Sequence, residues 1–178
     1  GCGSDSSDAV TIAILSKPTK PIITASALSF CVGDSVNLFG PSGFQAYFWS
    51  NSLPDNDTVF VKAGSSYTLR VSGTGGCKSV LSQPLQIASN FLPHIHLLTS
   101  TTDFCPGDTL NFEVAGAVSY TLLKNGQVVT GVGSGPVFKV TQYQSSDIIT
   151  LSGTDVNGCK NISEEIVLQE KTSGCEEE

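Results

Sequence analysis

The residues able to do chemistry in this chain are few, and their spacing limits what that chemistry is. There are six cysteines, at positions 2, 31, 77, 105, 159 and 175, and none has the Cys-x-x-Cys spacing of a zinc or thioredoxin-like site. His94 and His96 are the only histidines. On a strand, residues two apart point the same way, so this pair offers two imidazoles to one zinc or copper ion, without an identifiable third ligand. With no other histidine, Ser-His-Asp or Cys-His nucleophilic catalysis has no basis, and a non-enzymatic role is expected. Asp55-Asn56-Asp57 and Asp155-Val156-Asn157-Gly158 are oxygen-rich loops of the kind that bind Ca2+. Asp55 and Asp57 are the better calcium candidates, although Asp, Asn and Gly also serve tight turns. Gly131 to Gly135 superficially suggests a phosphate loop, but it lacks the lysine and the following helix. Phe44 and Phe48, if Tyr47 and Trp49 face inward, would turn to the opposite side and present rings for stacking on a sugar.

These groups must be positioned by a fold, and the first clue to it is repetition. Phe30-Cys31-Val32-Gly33-Asp34-Ser35-Val36-Asn37-Leu38 returns as Phe104-Cys105-Pro106-Gly107-Asp108-Thr109-Leu110-Asn111-Phe112, keeping Phe, Cys, Gly, Asp and Asn in place. Downstream, Ala46-Tyr47-Phe48-Trp49 faces Ser119-Tyr120-Thr121-Leu122, and Val59-Phe60 matches Val137-Phe138. Ser65 to Thr74 is aligned with Ser145 to Thr154, which sets Asp147 against Tyr67 and makes Asp155-Val156 an insertion. Each copy closes on Gly-Cys, at Gly76-Cys77 and Gly158-Cys159. Gly1-Cys2 followed by Ile12-Ala13-Ile14 has the same layout, so residues 1–16 are expected to be the last turn and strand of a preceding repeat, or an added edge strand.

Within each copy, Val36/Leu38, Tyr47/Trp49 and Leu69/Val71 alternate with polar residues at the period of a half-buried sheet, while Pro, Gly, Asn and Asp clusters punctuate the runs. No window carries a helical stripe. About seven short strands per unit predict an all-β chain of two tandem immunoglobulin-like Greek-key sandwiches. The expected divisions are 1–16, the end of a preceding repeat; 17–89, repeat 1; 90–171, repeat 2; and 172–178, a polar acidic tail.

Composition narrows the function. The 178 residues carry 9 Lys and Arg against 16 Asp and Glu, a net charge of −7, which argues against a nucleic-acid partner. Three of the acids are the terminal Glu176, Glu177 and Glu178. No apolar run approaches the roughly 20 residues of a membrane helix. The absence of any methionine suggests a processed or excised piece. Six cysteines among abundant Ser, Thr and Gly indicate an oxidising, extracellular or cell-surface setting.

The succession Cys-x-Gly-Asp-Ser/Thr-Val/Leu, Tyr-x-Trp, Tyr-Thr-Leu-x-Val and Gly-Cys resembles the Ig-like/PKD-like tandem repeats of secreted and surface adhesin-type proteins of gliding bacteria and their relatives. The resemblance covers about residues 1–170 and implies a non-catalytic, disulfide-braced spacer or presentation module in a multi-repeat protein. The alternative is a carbohydrate-binding sandwich, calcium-assisted or not. The partners implied are neighbouring repeats, a surface polysaccharide or another cell-surface protein. Asp34-Ser35-Val36, Asp57-Thr58-Val59 and Asp108-Thr109-Leu110 are similar to the O-glycosylation sites of such bacteria. Repeat register favours the within-repeat disulfides Cys31–Cys77 and Cys105–Cys159, with Cys2 and Cys175 left over. In an immunoglobulin strand order, however, the two cysteines of one copy lie at opposite poles. Pairing of Cys31 with Cys159 of the next copy therefore stays open.

Overall fold

A computed structural model describes residues 1–130 and 136–175; the glycine-rich stretch 131–135 and the terminal glutamates lie outside the described residues. The fold is all-β, and the described residues contain no helix. The chain divides into two compact units. The first comprises Gly1–Ser29 and Asp34–Ala88, the second Phe30–Gly33 and the chain from Ser89 onward.

Strands β1 (Thr24–Ala25), β2 (Ser29–Cys31), β3 (Val36–Phe39), β4 (Ala46–Trp49), β5 (Thr58–Val61), β6 (Ser65–Tyr67), β7 (Leu69–Ser72) and β8 (Leu85–Asn90) belong to the first sequence repeat. They pair as β1-β3-β5, β2-β8-β6 and β4-β7. Alternation does what the sequence predicts: Val36 and Leu38 on β3, Val59 and Val61 on β5, and Leu69 and Val71 on β7 are buried, while Asn37, Phe60 and Arg70 face outward. Trp49 lies in this core, and its Nε1 donates to the Asn56 carbonyl at 2.8 Å, which satisfies the one polar atom the ring carries inside. Tyr67 is also buried, and its hydroxyl reaches the Ala63 carbonyl at 2.7 Å.

The second repeat supplies β9 (His96–Thr99), β10 (Asp103–Phe104), β11 (Leu110–Ala115), β12 (Ser119–Lys124), β13 (Gln127–Val128), β14 (Val137–Val140), β15 (Ile148–Thr154), β16 (Lys160–Ile162), β17 (Ile166–Val167) and β18 (Gln169–Glu170). One sheet is β14-β11-β9. Another is β13-β12-β15-β16 with β17 also on β15, and β10 pairs in parallel with β18. Phe104, Phe112, Leu122, Phe138, Ile149, Leu151 and Leu168 form the centre of its core.

The strand registers make the two repeats equivalent, pair by pair. Leu38 opposes Val59 as Phe112 opposes Phe138, and Trp49 opposes Leu69 as Leu122 opposes Leu151. Backbone bonds agree: Leu69 N–H donates to Ser82 Oγ and Leu151 N–H to Ser163 Oγ, each at 3.0 Å. Leu69 therefore corresponds to Leu151, which corrects the sequence alignment by two residues. Asp147 does not replace Tyr67, and nothing is inserted before the last hairpin. A shift of two leaves every side chain on its own face, so the polar–apolar pattern could not detect it.

Residues 1–16 depart from expectation. No strand forms at Ile12–Ile14, and Val10, Ile12 and Ile14 are exposed. A strand is stable only where a neighbour takes its N–H and C=O groups, and among the described residues no strand pairs with this segment.

Candidate functional site

The recurring Phe-Cys-x-Gly-Asp motif is a tight turn with a built-in cap. In the second repeat Gly107 has φ +91°, Asp108 N–H donates to the Cys105 carbonyl at 3.0 Å, and the Asp108 carboxylate accepts the Cys105 N–H at 2.7 Å. Gly33 takes the same left-handed conformation, at φ +107°. Glycine adopts it without a Cβ clash. The motif thus fixes the direction in which its cysteine leaves the strand.

The Gly-Cys motif does the same at a hairpin end. Gly158 has φ +81°, and the Asp155 carboxylate accepts N–H groups from Asn157 and Cys159, both at 2.8 Å. This loop, one of the two calcium candidates, turns its carboxylate onto its own backbone. Cys159 is completely buried.

The pairing of these cysteines corrects the favoured expectation. Cys31 bonds Cys159, and Cys105 bonds Cys175, with Cα–Cα distances of 5.5 Å in both. Cys77 is a free, half-buried thiol and Cys2 a free, exposed one. Strand geometry accounts for the second repeat. Cys159 follows β15 at its Thr154 end, whereas β17 pairs at the Ile148 end and leads into β18, the partner of β10 and hence of Cys105. Seven residues of β15 separate those ends by roughly 20 Å, far beyond the ~7 Å a disulfide tolerates. In the first repeat the two cysteines fall in different compact units: Phe30–Gly33 belongs with the second, Cys77 with the first. The open alternative, Cys31 with Cys159, is the one that forms. Cys175 has no partner in the sequence reading, although Gly174-Cys175 repeats the Gly-Cys dipeptide and Gly174 shares its positive φ, +83°. In the chain-entropy view, bonds spanning 128 and 70 residues each stabilise by about 4–5 kcal/mol.

In the first repeat the loop that carries Asp55 and Asp57 is bonded to the strands beside it. Asp55 accepts the Tyr47 N–H through Oδ1, Asn56 takes the Trp49 indole, and the Asp57 carbonyl accepts the Gly40 N–H at 2.7 Å. The loop is a clasp over β4. Among the described residues no group of three or more His, Cys, Asp or Glu is placed to hold a metal. His94 and His96 do share one side, with ring centroids 4.4 Å apart and both residues exposed.

Phe44 and Phe48 do not form one platform. Phe44 precedes β4 and sets its ring edge-on to Tyr47, centroids 6.4 Å apart, and Tyr47 is buried. Phe48 points to the other face, 40% exposed, with the Lys78 ammonium 3.9 Å above its ring. The sequence reading extends the strand to Phe44 and so puts both rings on one side; the strand begins only at Ala46. Lys78 is not among the sequence candidates, and its contact depends on how the chain after β7 returns.

Among the described residues, the buried carboxylate that draws a network around itself is Asp147. Burial works to raise its pKa, but the Gln144 N–H at 2.7 Å, the Asn125 amide at 2.6 Å and Lys124 at 3.4 Å outweigh it, and the carboxyl titrates below its ordinary value. These contacts fix the β12–β13 turn and the start of β15.

No family model and no curated protein matches the chain. Among solved structures, the fibronectin(III)-like modules of Clostridium thermocellum CbhA are similar at 10% identity, covering 88% of this chain and 99% of that one, with a TM-score of 0.42. Murine CEACAM1b is 11% identical over 85% of this chain and 100% of its own, with a TM-score of 0.40. A 1.5-MDa bacterial ice-binding adhesin is 12% identical over 86% of this chain and 66% of the solved chain, with a TM-score of 0.40.

Proposed function

We propose that this chain is a non-catalytic segment of a multi-repeat bacterial surface or secreted protein of adhesin type, acting as a disulfide-braced spacer that holds out a distal binding or catalytic part. The observation that carries the reading is the Cys31–Cys159 bond, in which the cysteine opening one sequence repeat is joined to the hairpin cysteine closing the next. That bond holds the motif segment Phe30–Gly33 of the first sequence repeat within the second compact unit, which is a bracing role. An oxidising, extracellular location is part of the same proposal, since such bonds persist there. Its partners are then neighbouring repeats. The acidic balance and the lack of any helix able to cross a membrane among the described residues sit comfortably with this.

The carbohydrate reading needs a stacking platform, and the Phe44/Phe48 arrangement gives it one half-exposed ring under a lysine. Titration of the chain against cellulose, chitin and alginate, with and without millimolar Ca2+, tests the choice. Flat responses throughout are expected of the spacer. Saturable binding that falls at least tenfold in Phe48→Ala would overturn it in favour of a ligand-binding module.

A further inference from the structure

The two Gly-Cys hairpins are built alike and end differently. Ser72 bridges to Lys78 as Thr154 pairs with Lys160, so Cys77 and Cys159 stand at the same point of the same hairpin. Gly76 and Gly158 are both left-handed there, at φ +71° and +81°. Cys159 is bonded to Cys31, a cysteine of the Phe-Cys-x-Gly-Asp motif; Cys77 is free.

The surroundings of the two hairpins carry the comparison further. Around Cys159, the chain at Ser89–Asn90 receives the motif: Val32 N–H donates to the Asn90 carbonyl at 2.8 Å, which lays Phe30–Gly33 beside the hairpin. Ala25 opposes Leu38 just as Thr99 opposes the equivalent Phe112. Counted back from those positions, Leu15–Ser16 is the counterpart of Ser89–Asn90. Leu15 and Ser16 run past the Cys77 hairpin, with the Leu15 side chain against Gly75. Between them is a hollow of about 260 Å3 lined by Leu15, Ser16, Pro18, Phe44, Thr74 and Cys77. It is open where the second unit holds Phe30–Gly33.

We infer that this hollow is a receiving site for the Phe-Cys-x-Gly-Asp turn of another unit of the same kind, and that Cys77 bonds its cysteine as Cys159 bonds Cys31. The occupant is set by what fills the equivalent place: an extended turn with a thiol one residue after a buried phenylalanine. In forming the bond, the two thiols give up two protons and two electrons to a disulfide oxidant, which leaves as two thiols while one S–S bond forms. The inference rests on the multi-repeat reading above and extends it: the first repeat would receive the motif cysteine of a preceding neighbour as the second receives Cys31.

The test is the full chain with residues 17–90 duplicated between Ser16 and Lys17. The inserted copy carries Ser29→Ala, which makes its motif peptide lighter by one oxygen atom, and Cys77→Ser, so that only one Cys77 remains. After refolding in a glutathione/glutathione disulfide buffer, free thiols are alkylated and the non-reduced digest is mapped. The expected result is the lighter motif peptide, from the inserted copy, bonded to the Cys77 peptide in most molecules, with Cys77 alkylated in the unduplicated chain. Cys77 alkylated in both chains, bonded to Cys2, or bonded to the unmarked Cys31 peptide would overturn it. The same digest keeps the two readings apart. A Cys31–Cys159 peptide with Cys77 alkylated defeats only this inference, whereas loss of Cys31–Cys159 removes the basis of the spacer as well.

Discussion

The two repeats solve one packing problem with different side chains, and the difference lies where β4 and β7, or β12 and β15, meet the core. In the first, Trp49 opposes Leu69 and Tyr47 opposes Val71, which is wholly buried. In the second, Leu122 opposes Leu151 and Tyr120 opposes Gly153. The volume lost at Trp49 and Val71 is recovered from elsewhere. Ile95 leans so far into the space above Gly153 that a Cβ there would strike its Cδ1 and come within 3.0 Å of the Ala117 Cβ. Tyr120 keeps the contact its counterpart makes: its hydroxyl accepts the Ala117 N–H at 2.8 Å, and donates to the Ala117 carbonyl at 2.7 Å, as the Tyr47 hydroxyl accepts the Phe44 N–H at 3.3 Å. Conserving the hydrogen-bonded ladder while exchanging volumes between strands is how one register tolerates two sets of residues.

The strongest way to break the equivalence is to treat its two hairpin cysteines alike. Cys159→Ser should lower the denaturant-derived stability of the second unit by about 5 kcal/mol, and Cys77→Ser should leave the first within about 0.5 kcal/mol. Equal losses in guanidinium titrations of the two variants would mean that Cys77 already has a partner. A smaller effect sharpens the packing contrast. Gly153→Val should cost about 1–3 kcal/mol by overfilling the space held by Ile95. Adding Ile95→Ala should return part of that loss, a coupling that a double-mutant cycle followed by circular dichroism would read. A third, smaller effect is confined to the second repeat. Because the folded Asp147 carboxyl titrates below its unfolded value, its contribution is present above the unfolded pKa and is lost as pH falls through the folded one. Asp147→Asn should cost about 1 kcal/mol near neutral pH and flatten the acid limb of stability against pH; a limb of unchanged steepness would contradict the assignment.

What can be read from the residues divides along a physical line. Local alternation and turn chemistry are legible: the buried faces of Val36/Leu38 and Leu69/Val71, the turns at Gly33 and Gly107 and the doubled motif all follow from neighbours in sequence. Pairings over distance are not. The two-residue slip between Leu69 and Leu151 is invisible because strands repeat every second residue, and only the opposing strand fixes the count. Counting one cysteine of each kind per copy favours Cys31–Cys77, but that count contains no distance, and β15 is long enough to forbid the analogous Cys105–Cys159 bond. Phe44 is misplaced by a single boundary, the start of β4 at Ala46, which turns its ring toward Tyr47. Asp55 reads only as a candidate ion ligand, and that its Oδ1 accepts the Tyr47 N–H is set by a strand eight residues back, which the loop's own residues do not reveal.

The Cys31–Cys159 bond also changes what pulling on this chain would do. A polypeptide stretched from its ends normally releases all of its length once its strands part. Here tension entering at residue 31 crosses the sulfur atoms to residue 159, and the 127 residues between are bypassed. At about 3.5 Å per extended residue, some 440 Å of contour is locked away. Cys105–Cys175 overlaps the first loop, running from inside it to near the end of the chain. Only a reductant frees that length, so the chain's reach under force is set by the redox state around it more than by the stability of either sandwich.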